Sequence, residues 1–130
     1  MASAPQFAAT PRVGVASVSV ANTNRDGTGT IATVLTAGAN GSKIEEVVIK
    51  ATGDPADCTV VFYLHDGTTA YAFDEWDIGN PAAPSATVAS YREARCYENL
   101  VLPNGWSLRA SITAAPTSGV VNVIALGGDF

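Results

Sequence analysis

The chain has 130 residues, which is enough for one domain with a proper core. Its formal net charge is −5, and its seven Lys and Arg residues are scattered, so nothing is built to attract a phosphate backbone and nucleic acid is not an expected partner. Only 15% of the residues are charged, against roughly 25% in ordinary domains, and no run reaches the ~18 apolar residues that would suggest a membrane span.

The opening "MASAPQFAATPR" places Pro5 and Pro11 around Phe7 and reads as an extended arm over residues 1–12. It lacks the basic start and continuous apolar centre of a secretory signal, so folding in a cytoplasm is expected. Nine runs rich in β-branched residues then follow at 13–20, 30–37, 43–51, 58–65, 69–78, 86–92, 96–102, 106–113 and 119–126. Between them lie the clusters "NTNRDGTG", "GANGS", "TGDPAD", "DGT", "GNPAAPS", "LPNG" and "APTSG". This rhythm predicts an all-β domain over 13–130, an antiparallel sandwich of about eight strands, jelly-roll-like in character.

Some runs say more than their number. "TVVFYLH" is apolar on both alternations, so it belongs in the middle of a sheet with both sides covered. "FYLHDGTTAYAF" reads as a hairpin closed at Asp66-Gly67. "SATVASYREARCYENL" has two readings, a helix capped by Ser85 or two strands. Thr87, Val88, Cys96 and Tyr97 are weak helix formers, and Pro81 and Pro84 crowd the start, so two strands are expected. In "WSLRASIT", Trp106, Leu108, Ala110 and Ile112 point one way, with Ser107, Arg109, Ser111 and Thr113 opposite. That alternation predicts a sheet with one wet face.

Candidate chemistry is sparse. "NTNRDGTGT" sets Asn22, Asn24 and Asp26 two residues apart before Gly27, close to the opening of a calcium loop. An EF-hand needs carboxylates at those first positions and a Glu at the twelfth, between helices; here two of the three are amides and the twelfth is Thr33. A turn stabilised by Asn and Asp side chains, with Gly27 and Gly29 in left-handed conformations, is the better reading. Glu75 and Asp77 of "DEWD" share a strand face, but glycosidases take their pair from across a cleft, and a solvated charged edge is commoner. His65, the single histidine, stands beside a turn with no nucleophile signature and reads as a strand-end residue. Trp76, Trp106, Tyr63, Tyr71, Tyr91 and Tyr97 read as core aromatics before a sugar platform. Cys58 and Cys96 fit no zinc spacing and read as buried free thiols. No catalytic set, metal or cofactor is expected.

The stretches "ANTNRDGTGT", "TAGANGSKIEEVVIKATG", "DGTT", "PSATVAS", "NLVLPNGWSLRAS" and "NVIALGGDF" together resemble a family of small β-sandwich virion proteins of tailed bacteriophages, the auxiliary head or capsid decoration proteins. The likeness runs from about Pro11 to Phe130. It implies a protein that attaches to the outer face of a phage shell, with the major capsid protein as partner, a homo-oligomeric state (a trimer first) and no catalytic residues. It also makes the arm from Ala2 to Arg12, with Pro5, Phe7, Pro11 and Arg12, the candidate contact with the shell or a neighbouring subunit, along with Phe130 of the terminal "GGDF". The alternative is a tail or fibre module that binds a host surface or carbohydrate through aromatics such as Trp76.

Overall fold

The computed structural model describes residues 8–130, so Pro5 and Phe7 lie outside the described residues. Eight strands follow in order: β1 (Thr10–Val18), β2 (Ala32–Thr36), β3 (Ser42–Ala51), β4 (Cys58–His65), β5 (Ala70–Gly79), β6 (Arg92–Leu102), β7 (Ser107–Ile112) and β8 (Val121–Asp129). No helix occurs among the described residues. The strands form two four-stranded sheets ordered β1-β8-β3-β6 and β2-β7-β4-β5, with every strand pair antiparallel. Eight strands alternating between two sheets in this order make a jelly roll, the fold expected from the sequence.

The core lies between the sheets. Ala16, Val18, Val47, Ile49, Val121, Val123 and Ala125 face inward from one side, and Val60, Phe62, Trp76, Leu108, Ala110 and Ile112 from the other. Each of these strands commits alternate residues to the interior, which fixes its register because a one-residue slip would turn the whole set outward. At one side of the sandwich β1 and β2 come so close that a Cβ on Gly14 would collide with the Val34 carbonyl oxygen. A strand interior tolerates glycine poorly unless another backbone approaches like this.

Three expectations are corrected. The nine runs yield eight strands, because 86–92 is not a strand. There Ser85 accepts hydrogen bonds on its hydroxyl from the amides of Thr87 (3.2 Å) and Val88 (3.1 Å), making a single turn, and β6 then runs unbroken from Arg92. β1 opens at Thr10 rather than 13, with Thr10, Pro11 and Arg12 paired to Asp129, Gly128 and Gly127. The polar face of β7 is not wet: Ser107 and Ser111 are as buried as their apolar neighbours.

The segment joining β1 to β2 explains that third correction. It leaves β1, bridges Ala21 to Ile112, and crosses the outer face of the β2-β7-β4-β5 sheet. The Asn22 amide donates to the Ile112 carbonyl (2.8 Å), and the Tyr63 hydroxyl donates to the Asn24 carbonyl (3.0 Å). At the far side Arg25 pairs with Glu75 of β5. So β4 is covered on both faces, as its apolar run requires, and Val61 and Tyr63 are fully buried.

Candidate functional site

The Asn22–Thr30 loop is a self-contained hydrogen-bonded corner. The buried Asn22 side chain donates to the carbonyls of Thr28 (2.9 Å) and Thr30 (3.0 Å), while its oxygen accepts from the Asn24 amide (3.0 Å). Asp26 accepts from both the hydroxyl (2.5 Å) and the amide (3.1 Å) of Thr28. Those two bonds hold its carboxyl below the usual carboxylate range. Gly27 and Gly29 take φ of 89° and 86°, as the turn reading expects. Two of the side-chain oxygens that resembled cation ligands, those of Asn22 and Asp26, thus accept from groups of the loop itself and brace its corner.

The "DEWD" acids divide as strand geometry dictates. Glu75 faces outward to Arg25, and Asp77 accepts from the Gly79 amide (3.2 Å). Asp74 turns inward to the gap between β5 and β6. There it accepts from the Tyr97 hydroxyl (2.6 Å) and the Trp76 indole nitrogen (2.9 Å), with Arg95 3.6 Å away. The Arg95 guanidinium lies 4.7 Å above the fully buried Trp76 ring. Phe62 packs on Trp76 with centroids 4.8 Å apart, and Phe73 on Tyr97 at 5.8 Å.

Burial alone would raise the Asp74 carboxyl. The hydrogen bonds from Tyr97, Trp76 and the Glu75 amide, with the Arg95 charge, outweigh it and hold the group below its usual range. Burial and the same bond to Asp74 push the Tyr97 phenol upward. Tyr91, buried and bonded to Glu93, is pushed up to about 12. Each of these shifts follows from burial and hydrogen bonding in the seam between the two sheets.

The remaining candidates resolve simply. His65 Nδ1 accepts from the Gly67 amide (3.0 Å), so it closes the β4–β5 turn as expected. Asp66 supports that turn by accepting from Thr68 (2.8 Å) and Thr69 (2.7 Å), and of the Asp66-Gly67 pair only the glycine has a positive φ. Cys58 is buried, its thiol raised to about 11 mainly by burial, whereas Cys96 is exposed; both are free. The expectation of two buried thiols holds for Cys58 alone, because Cys96 sits on the outward side of the edge strand β6. Trp76 and Tyr63, fully buried, offer no sugar platform; Tyr71 is 51% exposed and stands apart from them.

The proposed contact residues that are described lie at the end of the sandwich where the chain enters. Arg12 donates from Nη1 to both oxygens of Asp129 (3.0 and 2.8 Å) and from Nη2 to the Thr36 carbonyl (3.1 Å). Asp129 also accepts from Ser42, and these bonds keep its carboxyl below the usual range. Phe130 is tied by its amide to the Gly41 carbonyl (3.1 Å) and remains half-buried. Pro11 borders a shallow groove of about 370 Å³ with Ala8, Ala9, Glu45, Glu46 and Leu126. The groove opens where residues 1–7 join the sandwich.

No family model and no curated protein matches the sequence. Among solved structures, a chain of the acidic stable capsid structure of Helicobacter pylori bacteriophage KHP30 superposes with a TM-score of 0.53 at 16% identity, covering 92% of this chain and 86% of that one. The fold is that of a phage capsid chain. A chain of the cyanophage Pam1 capsid asymmetric unit aligns over 100% of this chain and 94% of its own at 20% identity, with a TM-score of 0.41. A chain of infectious bursal disease virus, Gx strain, gives 12% identity and a TM-score of 0.35, covering 93% of this chain and 33% of that one. The last two superpositions are too loose to argue from. At these identities the likeness is one of fold, and at that level the resemblance to phage virion β-sandwiches drawn from the sequence is met.

Proposed function

We propose that this chain is a structural virion protein of a bacteriophage, a decoration protein that binds the outer surface of the capsid and stabilises the shell. The observation that carries the reading is the likeness of its jelly roll to a phage capsid chain, which extends over 92% of the residues at a TM-score of 0.53. The geometry supports it from the other direction. The polar side chains of the loop, the β5–β6 seam and the Arg12–Asp129 cluster are used up in holding the fold, so contact surface is what this molecule has to offer. Its partner is the major capsid protein, its state is homo-oligomeric, and it performs no catalysis.

The physical effect is linkage. A protein that binds the assembled lattice better than its separated subunits shifts the equilibrium toward the lattice by mass action. A rigid sandwich fixed across neighbouring subunits adds area that must be broken before they part. The arm, with Pro5 and Phe7, is the proposed contact element, adding a strand to a neighbour's exposed edge or lying in a furrow.

Shells purified without this chain provide the test. Added protein is expected to co-sediment with them to a fixed stoichiometry and to raise the temperature at which they release DNA. Failure to bind, or labelling confined to the tail tip, would contradict the proposal. Deleting residues 2–7 is expected to weaken shell occupancy by ~10-fold or more, the loss of about one good anchoring contact. Unchanged occupancy would remove the arm as the attachment element.

A further inference from the structure

The outer face of the β1-β8-β3-β6 sheet carries exposed apolar side chains, among them Val13 and Val15. Register sets its side chains in rows across the strands. The middle row is Val15, Ile124, Val48 and Ala94, since Val15 and Val48 both pair with Ile124 and Val48 pairs with Ala94. Two residues along each strand to one side lies the row Ser17, Asn122, Lys50 and Arg92. Two residues to the other side lies the row Val13, Leu126, Glu46 and Cys96. Val13 is 65% exposed and Val15 55%, Ile124 and Leu126 are half-buried, and Val48 is buried among its neighbours on this face; none of the five belongs to the core cluster between the sheets. The face therefore carries an apolar band with a cationic margin on one side and Glu46 on the other.

We propose that this face binds the same face of a second copy of the chain, across a two-fold axis lying along the Val15–Ile124–Val48–Ala94 row. Rotation about that axis keeps each strand position and exchanges the two margins. The apolar row of one copy then lies over the same row of the other, and Lys50 of each copy comes opposite Glu46 of its partner. Arg92 of each lands over the Cys96 position, with Glu98 close by on the partner's β6. Such a patch is self-complementary, the condition an isologous two-fold contact requires. The charges are free for this use: neither Glu46 nor Lys50 has an ion-pair partner among the described residues, and Lys50 Nζ only donates to the carbonyls of Ala51 (3.0 Å) and Ser90 (3.2 Å).

The size is adequate. Four strands spaced ~4.8 Å apart, each about nine residues at ~3.3 Å, outline roughly 570 Å² per copy. The pair buries about 1,100 Å² in total, just above the ~1,000 Å² that separates specific interfaces from incidental contacts. Two sheets packed this way sit about 10 Å apart, a gap that Lys and Glu side chains span together. A two-fold pair thereby takes the place of the three-fold assembly expected from sequence. It is independent of any station in the virion.

Charge reversal tests it on the full chain by sedimentation velocity over a range of concentrations. The wild type is expected to dimerise. Lys50→Glu and Glu46→Lys should each weaken the dimer by ~10-fold or more, by placing like charges opposite one another twice. The double variant should return to within about threefold of wild type, because the pairs re-form with their signs exchanged. Ile124→Lys should leave a monomer, and thermal midpoints confirm that each variant is folded. A wild type that stays monomeric, or a dimer indifferent to both single reversals, would overturn the proposal. So would a double variant weaker than either single, or protection of this face only on shells.

Discussion

The outer face of the β2-β7-β4-β5 sheet lies under the β1–β2 loop, whereas the outer face of the β1-β8-β3-β6 sheet lies open. Both sheets carry apolar side chains on the outward set, Val61 and Tyr63 on one and Val13, Val15 and Ile124 on the other. One set is satisfied within the chain, by a loop that is held down through the Asn22 amide, the Tyr63 hydroxyl and the Arg25–Glu75 pair. The other has no cover among the described residues. An uncovered apolar sheet face is a surface awaiting a contact, and the difference separates what this fold does for its own stability from what it presents to others.

If the loop is a structural lid on one sheet, removing its central fastening costs most. Asn22→Ala removes a buried side chain that bonds two carbonyls and one amide of the loop, and is expected to cost about 1–2 kcal/mol in urea unfolding. An effect below ~0.5 kcal/mol would mean that the loop is not part of the cooperative fold. Tyr63→Phe deletes one bond to the loop, from the hydroxyl to the Asn24 carbonyl, and should cost ~1 kcal/mol on the same assay. On the open face, Val15→Thr should change monomer stability by less than ~0.5 kcal/mol, because the side chain is already in water. Its effect should instead be seen in self-association.

Acid sharpens the contrast at the loop. The Asp26 carboxyl is held below its unfolded value by the Thr28 hydroxyl and amide. Its contribution is therefore complete above the unfolded value of about 3.9 and is lost as pH falls through the depressed one. Asp26→Ala is expected to lower the thermal midpoint at pH 7, with the difference from wild type shrinking toward zero near pH 2. A difference that persists in strong acid would show that the ionised carboxylate is not the fastening.

Much of the fold was legible in the sequence, and the exceptions have physical causes. "TVVFYLH" announced a doubly covered strand, and "NTNRDGTGT" announced a corner, but nothing in either showed that the second covers the first. That contact depends on where the loop lands after crossing the sheet edge, a long-range fact with no local pattern. For the same reason "WSLRASIT" misled: its serines face outward, yet both are buried, Ser111 beside the β1–β2 segment and Ser107 where Arg109 donates to its hydroxyl. The nine runs became eight strands because Ser85 makes its capping bonds to Thr87 and Val88 without a helix or strand following directly. The open face did leave a trace. Runs 13–20 and 119–126 are apolar on both alternations, and because Gly14 and Ala16 are small the inward set of the first is no more apolar than the outward one.

One reconstruction would test the central claim most directly: images of phage particles assembled with and without this chain, averaged under the symmetry of the head. If the chain is a contact-making brick of the shell, the difference map holds jelly-roll density of 13.3 kDa per copy at regular sites on the outer surface. Difference density confined to the tail, or none on the particle, would contradict it.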